Sequence, residues 1–353
     1  MVLQFGIFEA ALRTWGSSEA APAFQGLFSA DPEIGYRLKP GAHVRFTTAE
    51  FDTEIAINRA GVRDDEEIGA KAPDERRIVI LGDSLVLSVQ VPFRQTFGEI
   101  LEKRLNSQRS PYRYRVINAG VQGYGPIEER LFFHDVAREL DPDVVLETLF
   151  VGNDAEEAVT SEPRLGGAQP TSAARMNAAA RLRRIVRRSM VLQVLRLRFT
   201  ALTDRFTHVI GPPEAPLQSY AAHPAPRIAR GLEITRDAVS AIAEDAAAAG
   251  ARTGVLLMPA RFQVDDGDYG RLREAVAQAG GELVRDAATE RFDRAVAALT
   301  LPRLDLLPAL RSAPPGPDLF FQQTVHLTPR GHEVVADAIA TFLTSSGLLE
   351  TPR

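Results

Sequence analysis

Five apolar runs without clean alternation, separated by helix-like stretches and polar corners, constrain this chain more than any other feature. The runs are Arg77–Leu81, Tyr114–Asn118, Val144–Val151, Thr253–Met258 and Arg303–Leu306. A strand with one wet face alternates apolar and polar residues, so continuous apolar runs predict strands covered on both faces. Helix-like stretches lie between or after them, at Phe93–Leu105, Pro126–Leu140, Leu232–Ala249, Tyr269–Ala279 and Arg330–Leu343. Pro126 and Pro329 suit first helical positions, and Gly250 suits a stop. Alternating β and α elements predict a parallel, helix-covered sheet with right-handed crossovers.

Three segments organise the 353 residues. Within residues 1–72, the stretch from 30 to 70 carries strand-like alternation at Val44, Phe46, Ile55 and Ile57, broken at Pro40-Gly41 and Gly61, which predicts a small β appendage. Residues 73–350 hold the strand-and-helix grammar, and residues 155–230 interrupt it with prolines around a basic stretch. From Arg175 to Arg198 there are eight arginines interleaved with leucine, isoleucine and valine. That pattern reads as a cap helix with a solvated arginine face, or as a contact with a membrane surface. The first residues, MVLQFGIFEAALRTWG, are too short and mixed for a span and show no signal-peptide pattern; a short packing helix is the expectation. The absence of cysteine removes disulfides, thiolate metal sites and cysteine nucleophiles, and a net charge of -5 gives no attraction to nucleic acid.

In a parallel sheet, ligands gather at the carboxyl ends of the strands. Gly82-Asp83-Ser84 follows the first predicted strand, Gly120–Gly125 the second, and Gly152-Asn153-Asp154 the third. Three polar or glycine-rich corners thus fall on one edge of one sheet. A serine at such a turn can present its hydroxyl there, with its backbone N–H at a helix start. Serine needs a base, and His326, just before the last helix, is the best candidate. His332 reads as structural. Asp265-Asp266-Gly267-Asp268 reads as a polar turn capping a helix, and no metal or cofactor is expected.

These blocks, with His326-Leu-Thr-Pro-Arg-Gly-His332, resemble the four ordered motif blocks of the SGNH (GDSL-type) hydrolases and span residues 77–345. The resemblance implies a flavodoxin-like three-layer α/β/α fold with a five-stranded parallel sheet in the order 2-1-3-4-5, plus the small N-terminal β appendage and a helical insertion. It implies Ser84 as nucleophile and His326 as general base. The oxyanion hole would be the backbone N–H groups of Ser84 and Gly123 with the Asn153 amide. Asp83 and Asp154 would pin the loops. Ile57-Asn58…Gly61-Val-Arg63-Asp64 also resembles a β segment that precedes the hydrolase domain in many bacterial, often envelope-associated members. The cell envelope or secretion is therefore favoured over the cytoplasm.

The family normally has an aspartate two or three residues before the histidine; Gln323 and Thr324 stand there instead. Three alternatives stay open: a Ser-His dyad helped by Gln323 or a backbone carbonyl, a carboxylate from elsewhere such as Asp318 or Asp305, or a weakened enzyme. The expected activity is hydrolysis of acyl or acetyl esters of a small molecule or carbohydrate. An O-acyltransferase of cell-surface polysaccharide and a non-catalytic glycan-binding domain are the rivals.

Overall fold

The computed structural model describes residues 26–162 and 215–350. Two antiparallel hairpins come first: β1 (Phe28–Asp31) with β2 (Gly35–Leu38), and β3 (His43–Thr47) with β4 (Asp52–Ala56). The main sheet follows as β5 (Glu75–Gly82), β6 (Arg113–Gly120), β7 (Val144–Phe150), β8 (Arg252–Met258) and β9 (Arg303–Asp305). All its pairings are parallel, in the order β6-β5-β7-β8-β9, which is the expected 2-1-3-4-5. The helices are α1 (Ser84–Leu87), α2 (Phe97–Ser107), α3 (Pro126–Asp135), α4 (Asp154–Ser161), α5 (Pro226–Ala248), α6 (Arg261–Val264), α7 (Asp266–Gln278), α8 (Ala287–Ala297), α9 (Leu307–Arg311) and α10 (Pro329–Ser345).

The absence of alternation in the strands is explained by two covered faces. Ile78 and Ile80 of β5 pack with Phe97, Leu101 and Leu105 of α2 and with Val335 and Ile339 of α10. Their neighbours Val79 and Leu81 point the other way, onto Phe132 and Phe133 of α3 and Ile242 of α5. Each fully buried side chain of this size contributes roughly 1.5–3 kcal/mol relative to exposure. Ile34, Leu38, Phe46 and Ile55 of the hairpins belong to the second of these clusters, so the N-terminal segment shares a core with the sheet.

Helix boundaries depart from the expectations where local chemistry decides. Pro126 and Pro329 open α3 and α10, and Gly250 follows α5 at φ 84°. The stretch expected to run unbroken to Leu140 stops at Asp135 and continues as a 3₁₀ turn, Ala137–Leu140. Phe93–Gln95 is likewise a 3₁₀ turn, and α2 begins after Thr96, whose hydroxyl accepts the Glu99 N–H. α5 begins at Pro226, ahead of the expected Leu232, because proline is pre-set for a first helical position. Asp265 caps α7 by accepting the Asp268 N–H at 2.7 Å. Both ends of the interval 155–230 are occupied by helices of the layered fold, α4 and α5. Residues 175–198 and the N-terminal stretch lie outside the described residues. Among the described residues no helix is long and apolar enough to cross a membrane.

Candidate active site

The corner after β5 is built for close approach. Gly82 pairs with Gly120 across β5 and β6. A Cβ on Gly120 would lie 2.4 Å from the Leu87 nitrogen, so glycine here lets α1 settle onto β6. Asp83 caps α1 through Oδ1, which accepts the Leu85 N–H at 2.8 Å. Ser84 is the first residue of that turn and is half-buried. Gly123 is exposed at φ 72°, a left-handed conformation that favours glycine, and a Cβ there would meet the Tyr36 hydroxyl at 2.9 Å. Asn153, half-buried, stands at the head of α4; its Nδ2 donates to Glu157 Oε1 at 2.8 Å, leaving its second amide hydrogen for another acceptor.

His326 closes a short loop ahead of α10. Phe320 and Leu327 form an antiparallel bridge, and the Phe321 N–H donates to the His326 carbonyl at 2.9 Å. Neither ring nitrogen has a hydrogen-bond partner. Burial pulls the imidazole from 6.5 down to about 4, so it is neutral at pH 7, the form a general base must have. Gln323, one candidate for orienting the imidazole, makes no hydrogen bond to the ring in this arrangement. Its side chain is exposed, and the loop tip is held through its backbone instead. The upstream carboxylates are engaged elsewhere: Asp318 accepts from the Gln322 amide at 2.6 Å, and Asp305 from the Leu307 N–H at 2.9 Å. His332 is structural, with Nδ1 accepting the Phe97 N–H at 3.1 Å and its ring stacked on Phe97.

A cavity of about 940 Å³ joins two of these corners, bounded by Gly152 and Asn153 on one side and Gln323–Val325 on the other. Its wall is largely apolar, from Phe150, Leu217, Tyr220, Phe262 and Leu272. Nonpolar surface of this kind suits a hydrocarbon chain.

Sequence reasoning named Asp83 and Asp154 as loop pins but missed Glu129 and Glu147 beneath the site. Asp83, Glu129, Glu147 and Asp154 are all buried, and burial raises each above its ordinary range. Glu147 is a neighbour of Glu129 and raises it further by repulsion; Asp83 does the same to Asp154. Glu157 is pushed up to about 8, first by burial and then by Asp83 and Glu128. Two facing carboxylates in a dry interior keep at least one proton between them near neutral pH. The available signal was Glu147 itself, a lone charge inside an apolar run predicted to be covered on both faces. Among the described residues no group of carboxylates and histidines could hold a metal ion.

The N-terminal segment reaches three of the four blocks. Arg63, fully buried, donates to the carbonyls of Leu87, Ser88 and Val91 at 2.5–2.7 Å, fixing the turn that follows Ser84. Thr53 donates to the Val89 carbonyl at 2.5 Å. The Tyr36 hydroxyl donates to the Gln122 carbonyl at 2.7 Å, immediately before Gly123. Glu50 accepts from the loop of His326.

A family model described as an SGNH hydrolase-like domain, acetyltransferase AlgX, matches residues 219–353, which include His326 but not Ser84, Gly123 or Asn153. Among solved structures, the chain is similar to TesA at 14% identity and TM-score 0.42, covering 76% of this chain and 98% of that one. It is similar to a lipase/acylhydrolase from Enterococcus faecalis at 14% identity and TM-score 0.41, covering 79% and 99%. It is similar to a catalytic mutant of an acetylxylan esterase from Geobacillus stearothermophilus at 10% identity and TM-score 0.41, covering 76% and 94%. No curated protein matches the sequence. The five-stranded parallel sheet in the order 2-1-3-4-5 is the one that the resemblance to SGNH hydrolases implies, and residues 219–353 are similar to the SGNH hydrolase-like family model.

Proposed function

We propose that this protein is a serine acyl-transfer enzyme that hydrolyses carboxylic esters. Ser84 is the nucleophile and His326 the base, and the Ser84 N–H, the Gly123 N–H and the Asn153 amide hold the oxyanion. The observation that carries the reading is the cavity: Asn153 and residues 322–325 of the His326 loop border one apolar space, and Asn153 follows β7 on the same carboxyl edge of the sheet where Ser84 follows β5. Neutral His326 takes the Ser84 hydroxyl proton as the oxygen attacks the ester carbonyl. The tetrahedral oxyanion is held by preorganised donors, each contributing roughly 3 kcal/mol. The imidazolium returns its proton to the leaving alcohol. Water then repeats the cycle on the acyl-enzyme. The apolar wall favours an acyl chain of several carbons.

Transfer of an acetyl group to a sugar hydroxyl is the second reading, favoured by the acetyltransferase in the matching family's description. It uses the same acyl-enzyme, with a sugar hydroxyl replacing water. The test is p-nitrophenyl ester turnover from acetyl to dodecanoyl, with and without an oligosaccharide acceptor, alongside labelling by a fluorophosphonate probe. Wild type should turn over and label, and Ser84→Ala should do neither while keeping its melting temperature. Acceptor-dependent product would select the transferase. A wild type that neither labels nor turns over would defeat both and leave a binding domain.

A further inference from the structure

The loop that carries His326 lacks the family's aspartate, yet it is gripped at its tip by charged groups from two other parts of the chain. Glu50 lies in the turn between β3 and β4. Its Oε1 accepts the Gln322 N–H at 2.7 Å and its Oε2 accepts the Gln323 N–H at 2.9 Å. A carboxylate taking two adjacent backbone N–H groups fixes both the position and the plane of that peptide, with bonds of the stronger, charge-assisted kind. The turn is itself ordered: Thr48 Oγ1 accepts the N–H groups of Glu50 and Phe51, each at 3.2 Å. Beside the carboxylate, the Phe51 and Phe321 rings meet at 5.6 Å between centroids. On the other side, Arg261 Nη1 donates to the carbonyls of Phe321 and Gln322, both at 2.8 Å, while its Nε pairs with Asp268. The tip peptides therefore have their N–H groups on an anion and their carbonyls on a cation. Residues 321 and 326 are tied to each other by the Phe321 N–H to His326 carbonyl bond, so fixing the tip fixes the base.

We propose that Glu50 is a positioning residue for His326: its carboxylate, delivered by the N-terminal β segment, locks the loop that carries the base, where other members of the family orient the imidazole with an acid on the loop itself. This rests on the reading of His326 as base. Glu50 does not touch the ring, which has no hydrogen-bond partner. It therefore acts on where the base stands. A misplacement of about 1 Å costs up to about 10²-fold in rate, so the effect falls mainly on kcat.

The test uses the full chain with Glu50→Ala, Glu50→Gln and Glu50→Asp. The expected result is a fall in kcat of about 10- to 100-fold for alanine, larger than any change in KM. Glutamine should behave nearly as badly, because it offers one oxygen and turns an N–H₂ toward a donor. Aspartate keeps both oxygens and should recover part of the rate. A second measurement needs no turnover. The ring of ¹³C-labelled His326 is titrated by NMR in wild type and in Glu50→Ala, using a His332→Gln background if the two signals overlap. Loosening the loop should hydrate the ring and move its midpoint up by a unit or more, toward the ordinary value of about 6.5. An unchanged midpoint overturns the proposal whether or not the protein is an esterase. An unchanged kcat in a wild type that turns over and labels at Ser84 overturns it while leaving the proposed function standing.

Discussion

Replacing Glu157 with glutamine separates the shape of the Asn153 corner from its charge. Glu157 Oε1 accepts the Asn153 Nδ2 hydrogen at 2.8 Å, and a glutamine oxygen can accept the same bond. The carboxyl is held up to about 8, chiefly by burial. Below that pH the group is a neutral acid, and above it a carboxylate beside a site that must stabilise an anion. A substrate oxyanion stands about 3 Å from the Asn153 amide, which puts the two charges roughly 5–6 Å apart. At an effective dielectric of about 20 the repulsion is about 3 kcal/mol, or about a hundredfold in rate, and about tenfold if water screens the pair more strongly. The transition state carries the negative charge, so wild-type kcat/KM falls as pH rises through about 8 and levels off one to two orders lower. His326 is neutral throughout this range, because burial holds it near 4, and it leaves only an acid limb. The assay is background-corrected ester hydrolysis from pH 6 to 9.5. Glu157→Gln should match wild type at pH 6.5 within about threefold, by retaining the bond, and stay flat to pH 9.5. An unaltered alkaline fall in the variant would refute the assignment.

Two further predictions concern the scaffold. A Cβ on Gly231 would lie 1.7 Å from the Ala155 carbonyl oxygen, so Gly231→Ala must push α5 off α4; a loss of about 3 kcal/mol in urea unfolding is expected, and an unmoved midpoint would show that the helices part freely. Glu147 has its pKa raised by burial, so it supports folding fully below its unfolded value, and that support fades as pH rises through the folded value of about 7. Relative to wild type, Glu147→Gln should therefore gain melting temperature between pH 5 and pH 8; a constant difference would mean that the carboxyl does not titrate in this window.

Much of the sheet was legible because its signal is local. Ile78–Leu81 had to be covered on both faces, and the corners after β5, β6 and β7 interrupt apolar runs with residues that make poor strands and good turns. β1 and β2 were not legible, because four residues each give too short a period to read. α8 was missed because Phe292 and Val296 are its only large apolar side chains, and its alanines carry little pattern. The candidate residues Ser84, Gly123, Asn153 and His326 stood out by their setting, but the groups that hold them did not. Glu50 meets the His326 loop across more than 270 residues of sequence, and Tyr36 and Arg63 reach loops that no local pattern links to them. Such pairs are created by the packing of the hairpins on the sheet. Gln323 was one candidate to orient the histidine because it stands where the family carries its aspartate, a position blind to which way a loop tip turns.

The same packing explains how a site for an anionic intermediate can stand on so many acids. Asp83, Glu129, Glu147, Asp154 and Glu157 gather behind the carboxyl edge of the sheet. If all were ionised, their summed field would oppose the oxyanion far more than three N–H donors could offset. Burial resolves the conflict, because removing carboxylates from water costs more than retaining their protons. Near neutral pH Glu129, Asp154 and Glu157 then stand largely as neutral acids, while Asp83, at about 6, keeps its charge against the Leu85 N–H. Glu50 differs: it sits in an exposed turn of the appendage, and its carboxylate faces backbone N–H groups on the histidine side. Protonated acids thus stand behind the oxyanion corner, where charge would do harm, while the half-buried Glu50 carboxylate grips the loop of the base.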